Sequence, residues 1–80
     1  PFVHDALPYT WSELQHYIKN EMVQHAEDLL CRRTRCILLH KEATLDILDQ
    51  AIEQIANFHG HNQEWKKEEK KRFMDMAKSY

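Results

Sequence analysis

Apolar residues recur three and four positions apart along most of this chain, which is the spacing of helix faces rather than strands. Trp11, Leu14, Ile18 and Met22 follow that rule, with Tyr17 widening the face, so a first helix is predicted over 11–22. Its start is well marked. Thr10 is the N-cap, Glu13 three residues on completes a capping box, and Tyr9 and Leu14 occupy the two positions of a hydrophobic staple. Pro8 disfavours helix at Leu7, so residues 1–9 read as an approach segment or linker.

No breaker residue follows, but the apolar phase shifts near His25 and predicts a bend. Ala26, Leu29, Leu30, Arg33 and Ile37 then share one face of a second helix over 26–35. Cys36–Leu39 is an apolar run expected to end that helix or to cross the core as a buried connection. A third helix is predicted from Lys41 or Glu42, with Leu45, Leu48, Ala51, Ile52, Ile55 and Ala56 as its stripe and Phe58 near its end. Gly60 supplies the left-handed C-cap. Asn62 can cap a fourth helix, whose apolar face is sparse: Trp65, Phe73, Met76, Ala77 and Tyr80. Helices this short are marginal alone and must pack on one another. The fold expected is all-α, a small orthogonal bundle of four to five helices forming one domain over 10–80.

Composition narrows the picture. Eighty residues make one domain with a thin core. One glycine and two prolines, with neither between residues 9 and 59, suit helices. The net charge of −2 gives no global attraction to nucleic acid or to an anionic membrane. No apolar run reaches the roughly 18 residues of a membrane span, and no signal-peptide pattern opens the chain. Cys31 and Cys36 do not form a secreted disulfide framework, which favours a reducing, intracellular setting. The chain opens on Pro1 without methionine and closes on Tyr80, an apolar position of an amphipathic stretch; a piece of a longer protein is expected.

Candidate chemistry is sparse. Cys31, Cys36, His59 and His61 could in principle form a zinc set. Thiols five apart on a helix diverge by about 140°, and the two histidines flank a turn, so small apolar cysteines and surface histidines are the better reading. Cys36 and His40 stand four apart, but no glycine-rich turn could build an oxyanion hole beside them. One glycine also excludes a phosphate-cradling loop. No catalytic, cofactor-binding or metal residue is therefore expected. Arg32, Arg33 and Arg35, and then Lys66, Lys67, Lys70, Lys71 and Arg72, raise the question of nucleic acid. Glu64, Glu68 and Glu69 interleave with the second group, and Glu68 precedes Arg72 by four, so a solvated, self-paired face is favoured over a DNA face.

The stretch Ala26–Arg35 places Glu27 and Asp28 at its start and three arginines at its end, the charge order that a helix dipole prefers. Asp28 and Arg32 stand at ion-pair spacing, and Arg33 falls on the apolar face, where it would need a partner if buried. Arginine is enriched at interfaces, so a protein-interaction role weighs about equally with a purely local one.

These residues, with Leu7–Leu14 and Asn20-Glu21-Met22, resemble the C-terminal helical domain of FAD-dependent (aerobic) glycerol-3-phosphate dehydrogenases and of the related alpha-glycerophosphate oxidases. Residues 7–40 carry the resemblance, the third helix follows it loosely and the last twenty residues weakly, and Glu27, Asp28, Arg32, Arg33 and Thr34 match its most specific run. There are departures. A helix-capping threonine is common in the family where this chain has His25, an aspartate where it has His40, and a Gly-Trp pair where Gly60 and Trp65 stand five apart. The resemblance implies a parent that oxidises sn-glycerol 3-phosphate to dihydroxyacetone phosphate, with FAD as hydride acceptor and electrons passing to quinone, or to oxygen in the oxidases. It implies that the FAD site and the catalytic residues lie in an N-terminal portion, with this piece an inactive accessory cap. Partners would be the FAD and substrate domains of that parent, not nucleic acid. The parent would be cytoplasmic, with peripheral association at the inner face of the cell membrane open to it. The five signature residues would serve structure or an interdomain interface. The competing reading is an independent helical module that binds protein or DNA.

Overall fold

The computed structural model describes residues 2–80. In order, it contains strands β1 (Phe2–His4) and β2 (Leu7–Thr10), helix α1 (Trp11–Asn20), a π-helical segment (Asp28–Arg33), and helices α2 (Cys36–Leu39), α3 (Lys41–His59) and α4 (Gln63–Ala77). The small, mostly helical bundle expected from the spacing is therefore present, with five helical segments.

α3 is the central element, packed against α1, α2, α4 and β1. Its buried residues Ile47, Leu48, Ala51, Ile52 and Ile55 meet Leu14 and Ile18 of α1, Leu29 and Leu30 of the π-helical segment, and Phe73 of α4 in one core. The ends of α3 follow local chemistry. His40 caps its start by accepting from the Ala43 N–H at 3.1 Å. Gly60 ends it at φ +76°, a conformation that costs glycine little, and the N–H groups of Gly60 and His61 both reach the Ala56 carbonyl. The capping box at α1 forms as expected. Thr10 Oγ1 accepts from the Glu13 N–H at 3.2 Å, and Glu13 Oε1 accepts from the Thr10 N–H at 2.9 Å.

Three expectations need correction. Residues 2–10 form an antiparallel hairpin, pairing Phe2 with Thr10 and His4 with Leu7, rather than a plain approach segment. The hairpin belongs to the domain because Val3 and Leu7 are buried in its core and His4 Nε2 meets Asp46 Oδ2 of α3 at 3.1 Å. Pro8 is compatible with an edge strand, which needs no N–H there.

The first helix stops at Asn20, two residues early. The Asn20 side-chain amide folds back onto the His16 carbonyl at 3.1 Å, and Met22 adopts φ +55°. Met22 thus leaves the apolar face and stands 68% exposed, while Val23 turns inward in its place.

The second helix is a wide turn rather than an α-helix over 26–35. The Thr34 N–H bonds the Leu29 carbonyl five residues back, at 3.1 Å. Arg35, at φ +57°, then breaks the chain into the separate short helix α2. Cys36 and Ile37 of α2 are buried, but Leu38 and Leu39 are exposed, so the apolar run does not cross the core.

Candidate functional site

The signature segment is held at both ends by other elements. At its start, Glu69 of α4 is buried, 4% exposed, and its Oε2 accepts from the Ala26 N–H at 2.7 Å. Its Oε1 meets His25 Nδ1 at 3.1 Å and the Arg72 guanidinium at 3.5 Å. A carboxylate on the first turn satisfies an otherwise orphaned donor and suits the positive end of the segment. The departure at His25 is thus answered in space: α4 supplies the cap that residue 25 lacks. His25 stacks on Trp65, which also stacks on His61 at 4.1 Å between ring centroids.

At its end, Thr34 is buried and fully engaged. Its hydroxyl donates to the Leu29 carbonyl at 2.8 Å and lies 3.0 Å from Cys36 Sγ. Its own carbonyl accepts from the Tyr9 hydroxyl at 2.7 Å, which ties β2 to the signature. Burial raises the Tyr9 phenol above its ordinary value, with smaller contributions from Cys36, Tyr17 and Glu13.

The wide turn decides where the arginines go. With five residues closing the hydrogen bond, Thr34 rather than Arg33 stacks beneath Leu29. Arg33 is therefore not on the buried face. It is half-exposed, and its Nη1 lies 3.7 Å from Glu21 Oε1 at the end of α1. No ion pair joins Asp28 and Arg32 among the described residues. Arg32 is exposed, and Glu27 and Asp28 are half-buried. Glu21, Met22, Val23, Asp28, Arg32 and Arg33 together line an open cleft of about 390 Å³. Three of the five signature residues meet there, Thr34 supports it from within, and Glu27 does not line it.

The other candidates do not assemble into sites. His59 Nε2 meets the Val23 carbonyl at 2.7 Å, His61 lies on Trp65, and His40 caps α3. Among the described residues no three Cys, His, Asp or Glu side chains converge as metal ligands. Both cysteines are free, and burial raises both thiols. Cys31 is pushed up to about 11, with the Glu27 carboxylate adding to the effect. The basic run of α4 is paired mainly with acids of α3 rather than with the interleaved acids of its own helix, and Lys67 and Lys71 have no carboxylate partner among the described residues. Lys66 meets Glu53 at 2.9 Å, Lys70 meets Asp49 at 3.0 Å, and Arg72 pairs with Glu69 rather than with Glu68.

Sequence reasoning placed Glu21 and Met22 in the resemblance and Glu69 on the solvated face of the fourth helix, but assigned none of the three to the site. A signal for Glu69 existed, because Trp65, Glu69, Phe73 and Ala77 stand at steps of four on one face. A carboxylate at a core position implies a buried partner.

The architecture is that of a small, mostly helical domain carrying one arginine-lined cleft. The family described as the C-terminal domain of alpha-glycerophosphate oxidase matches residues 2–70, and the chain belongs to it. The match takes in the hairpin, all of α3 and the first half of α4, whereas the resemblance is carried by residues 7–40 and reaches the third helix only loosely. Comparison with curated proteins and with solved structures yields no match.

Proposed function

We propose that this chain is the non-catalytic accessory domain of an FAD-dependent enzyme that oxidises sn-glycerol 3-phosphate to dihydroxyacetone phosphate and passes electrons to quinone. The family match over residues 2–70 carries the reading. The residues of this domain do not fit FAD themselves. A dinucleotide's phosphates need a glycine-rich turn opening a helix, and Gly60 instead closes one. Flavin and substrate therefore belong to an N-terminal portion of the parent, with this domain packed beside it in the cytoplasm, where the parent can associate with the inner membrane face. No helix among the described residues is long and apolar enough to cross a membrane, which is compatible with peripheral association.

The test is an assay of the full-length parent. Glycerol 3-phosphate should reduce its flavin and a soluble quinone, with dihydroxyacetone phosphate as product. A flavin-loaded full-length protein that leaves glycerol 3-phosphate untouched would overturn the assignment.

A further inference from the structure

We propose that His25 is a covalent modification site, whose open Nε2 adds to small uncharged carbon electrophiles of the α,β-unsaturated aldehyde class. The site is separate from the arginine-lined cleft and does not depend on the reaction of the parent.

The hydrogen bonds of the six histidines single it out. A neutral imidazole carries one N–H and one lone pair, and only the lone pair can attack carbon. His4 accepts from the Ala6 N–H at Nδ1 and gives its Nε2–H to Asp46. His40 spends its Nδ1 lone pair on the Ala43 N–H, and His16 spends its own on the Asn20 side-chain amide at 3.1 Å. These three rings have no lone pair left. His59 gives its Nε2–H to the Val23 carbonyl, so a lone pair remains at Nδ1, but no carboxylate holds the ring. His61 lies flat on Trp65, also without a carboxylate.

His25 combines both features. Its Nδ1 meets Glu69 Oε1 at 3.1 Å. The Ala26 N–H and the Arg72 guanidinium fix that carboxylate as an acceptor, so Nδ1 holds the proton and Nε2 the lone pair. A carboxylate on one ring nitrogen sets the tautomer and aims the other. Nε2 has no hydrogen-bond partner among the described residues, and the side chain is 40% exposed.

The surroundings select the electrophile. His25, Trp65, Glu68, Glu69 and Arg72 line an open cleft of about 160 Å³. Two carboxylates against one guanidinium disfavour anionic donors such as acyl phosphates. An uncharged enal meets no such repulsion, and the Trp65 indole offers it an apolar wall. Nε2 bonds to the β-carbon, and the alkene pair moves onto the α-carbon and carbonyl as an enolate. Glu69 faces the positive charge that develops on the ring. Water then protonates the α-carbon and the ring proton passes to solvent, so nothing is oxidised and no group leaves.

The test treats the 80-residue chain with crotonaldehyde, fixes the adducts with borohydride and follows each histidine by mass spectrometry. Fragment spectra separate these adducts from those on cysteine or lysine. His25 should react about tenfold faster than any other histidine, and the advantage should vanish in urea. Glu69→Gln keeps an acceptor for the Nδ1–H but removes the charge, and should slow His25 about tenfold in a chain that retains its helical spectrum. Nitrogen NMR of the unmodified chain needs no variant. It should show the Nδ1–H tautomer at His25 and the Nε2–H tautomer at His4, His16, His40 and His59. A His25 rate no greater than that of His61, an advantage that persists in urea, or the Nε2–H tautomer at His25 would overturn the proposal.

Discussion

The Glu69 carboxylate receives the Ala26 N–H at 2.7 Å across 43 residues of chain. The segment that identifies the family is therefore capped from α4, not by its own sequence. Removing the carboxylate leaves a buried donor unsatisfied, which costs about 1–3 kcal/mol. Glu69→Ala should lower the unfolding free energy by that amount, read as a lower urea midpoint at an unchanged slope. Glu69→Gln keeps an acceptor oxygen and should cost less. An alanine variant within about 0.5 kcal/mol of the parent chain would show that the cap is dispensable.

Thr34 closes the other end through its hydroxyl, and Tyr9 holds its carbonyl. Thr34→Val preserves shape and removes the hydroxyl bonds, for a loss of roughly 1–2 kcal/mol. Tyr9→Phe should cost about 1 kcal/mol. Both act on the same residue, so the double variant should depart from additivity by at least about 0.5 kcal/mol. A cycle that closes on simple addition would mean the two bonds act separately.

Arg33 is half-exposed with one distant partner. Exposed pairs contribute little, so Arg33→Ala should change the stability of the 80-residue chain by less than about 1 kcal/mol. A loss of several kcal/mol in a thermal or urea melt would place this arginine in the core after all.

Cys31 is pushed up from an ordinary value of 9.0 to about 11, mainly by burial. A thiol with a raised folded value favours folding in its neutral form. That contribution is present below the unfolded value and lost as pH rises through about 11. Stability should therefore fall between pH 9 and about 11, and less steeply in Cys31→Ala. Tyr9 and Cys36, also raised, should leave a residual slope. Cys31 should also react with iodoacetamide more slowly than free cysteine near about pH 8. Rapid alkylation of the folded chain would contradict the burial argument.

Much of this domain was legible in the sequence, where local chemistry decided the outcome. The Thr10–Glu13 capping box, the Gly60 cap and the Asn62 cap form at the expected residues. Leu48, Ala51, Ile52, Ile55 and Ala56 of the α3 stripe are buried as expected, while Ala43, Thr44 and Ile47 join them, Leu45 is only half-buried and Phe58 is exposed. The failures are backbone choices that apolar spacing does not report, one settled by distant core contacts and two by local side-chain bonds. β1 has three residues and gives no periodicity, yet Val3 and Leu7 find the core. The apolar spacing of Leu29, Leu30 and Arg33 fits an α-helix. Thr34 draws the turn wider with two bonds to the Leu29 carbonyl, and that moves Arg33 into water. The cleft was half legible. Its arginines and Asp28 stood out by their charge order, whereas Glu21 and Met22 enter only because α1 ends early at Asn20.

The central claim is that this domain supports a flavoenzyme without holding its flavin or its chemistry. The direct measurement is the visible absorbance spectrum of the purified 80-residue chain after incubation with FAD and desalting, followed by addition of glycerol 3-phosphate and a redox dye. The account predicts a colourless protein with a folded helical spectrum and no dye reduction. Retained flavin, or dye reduction that depends on glycerol 3-phosphate, would contradict it.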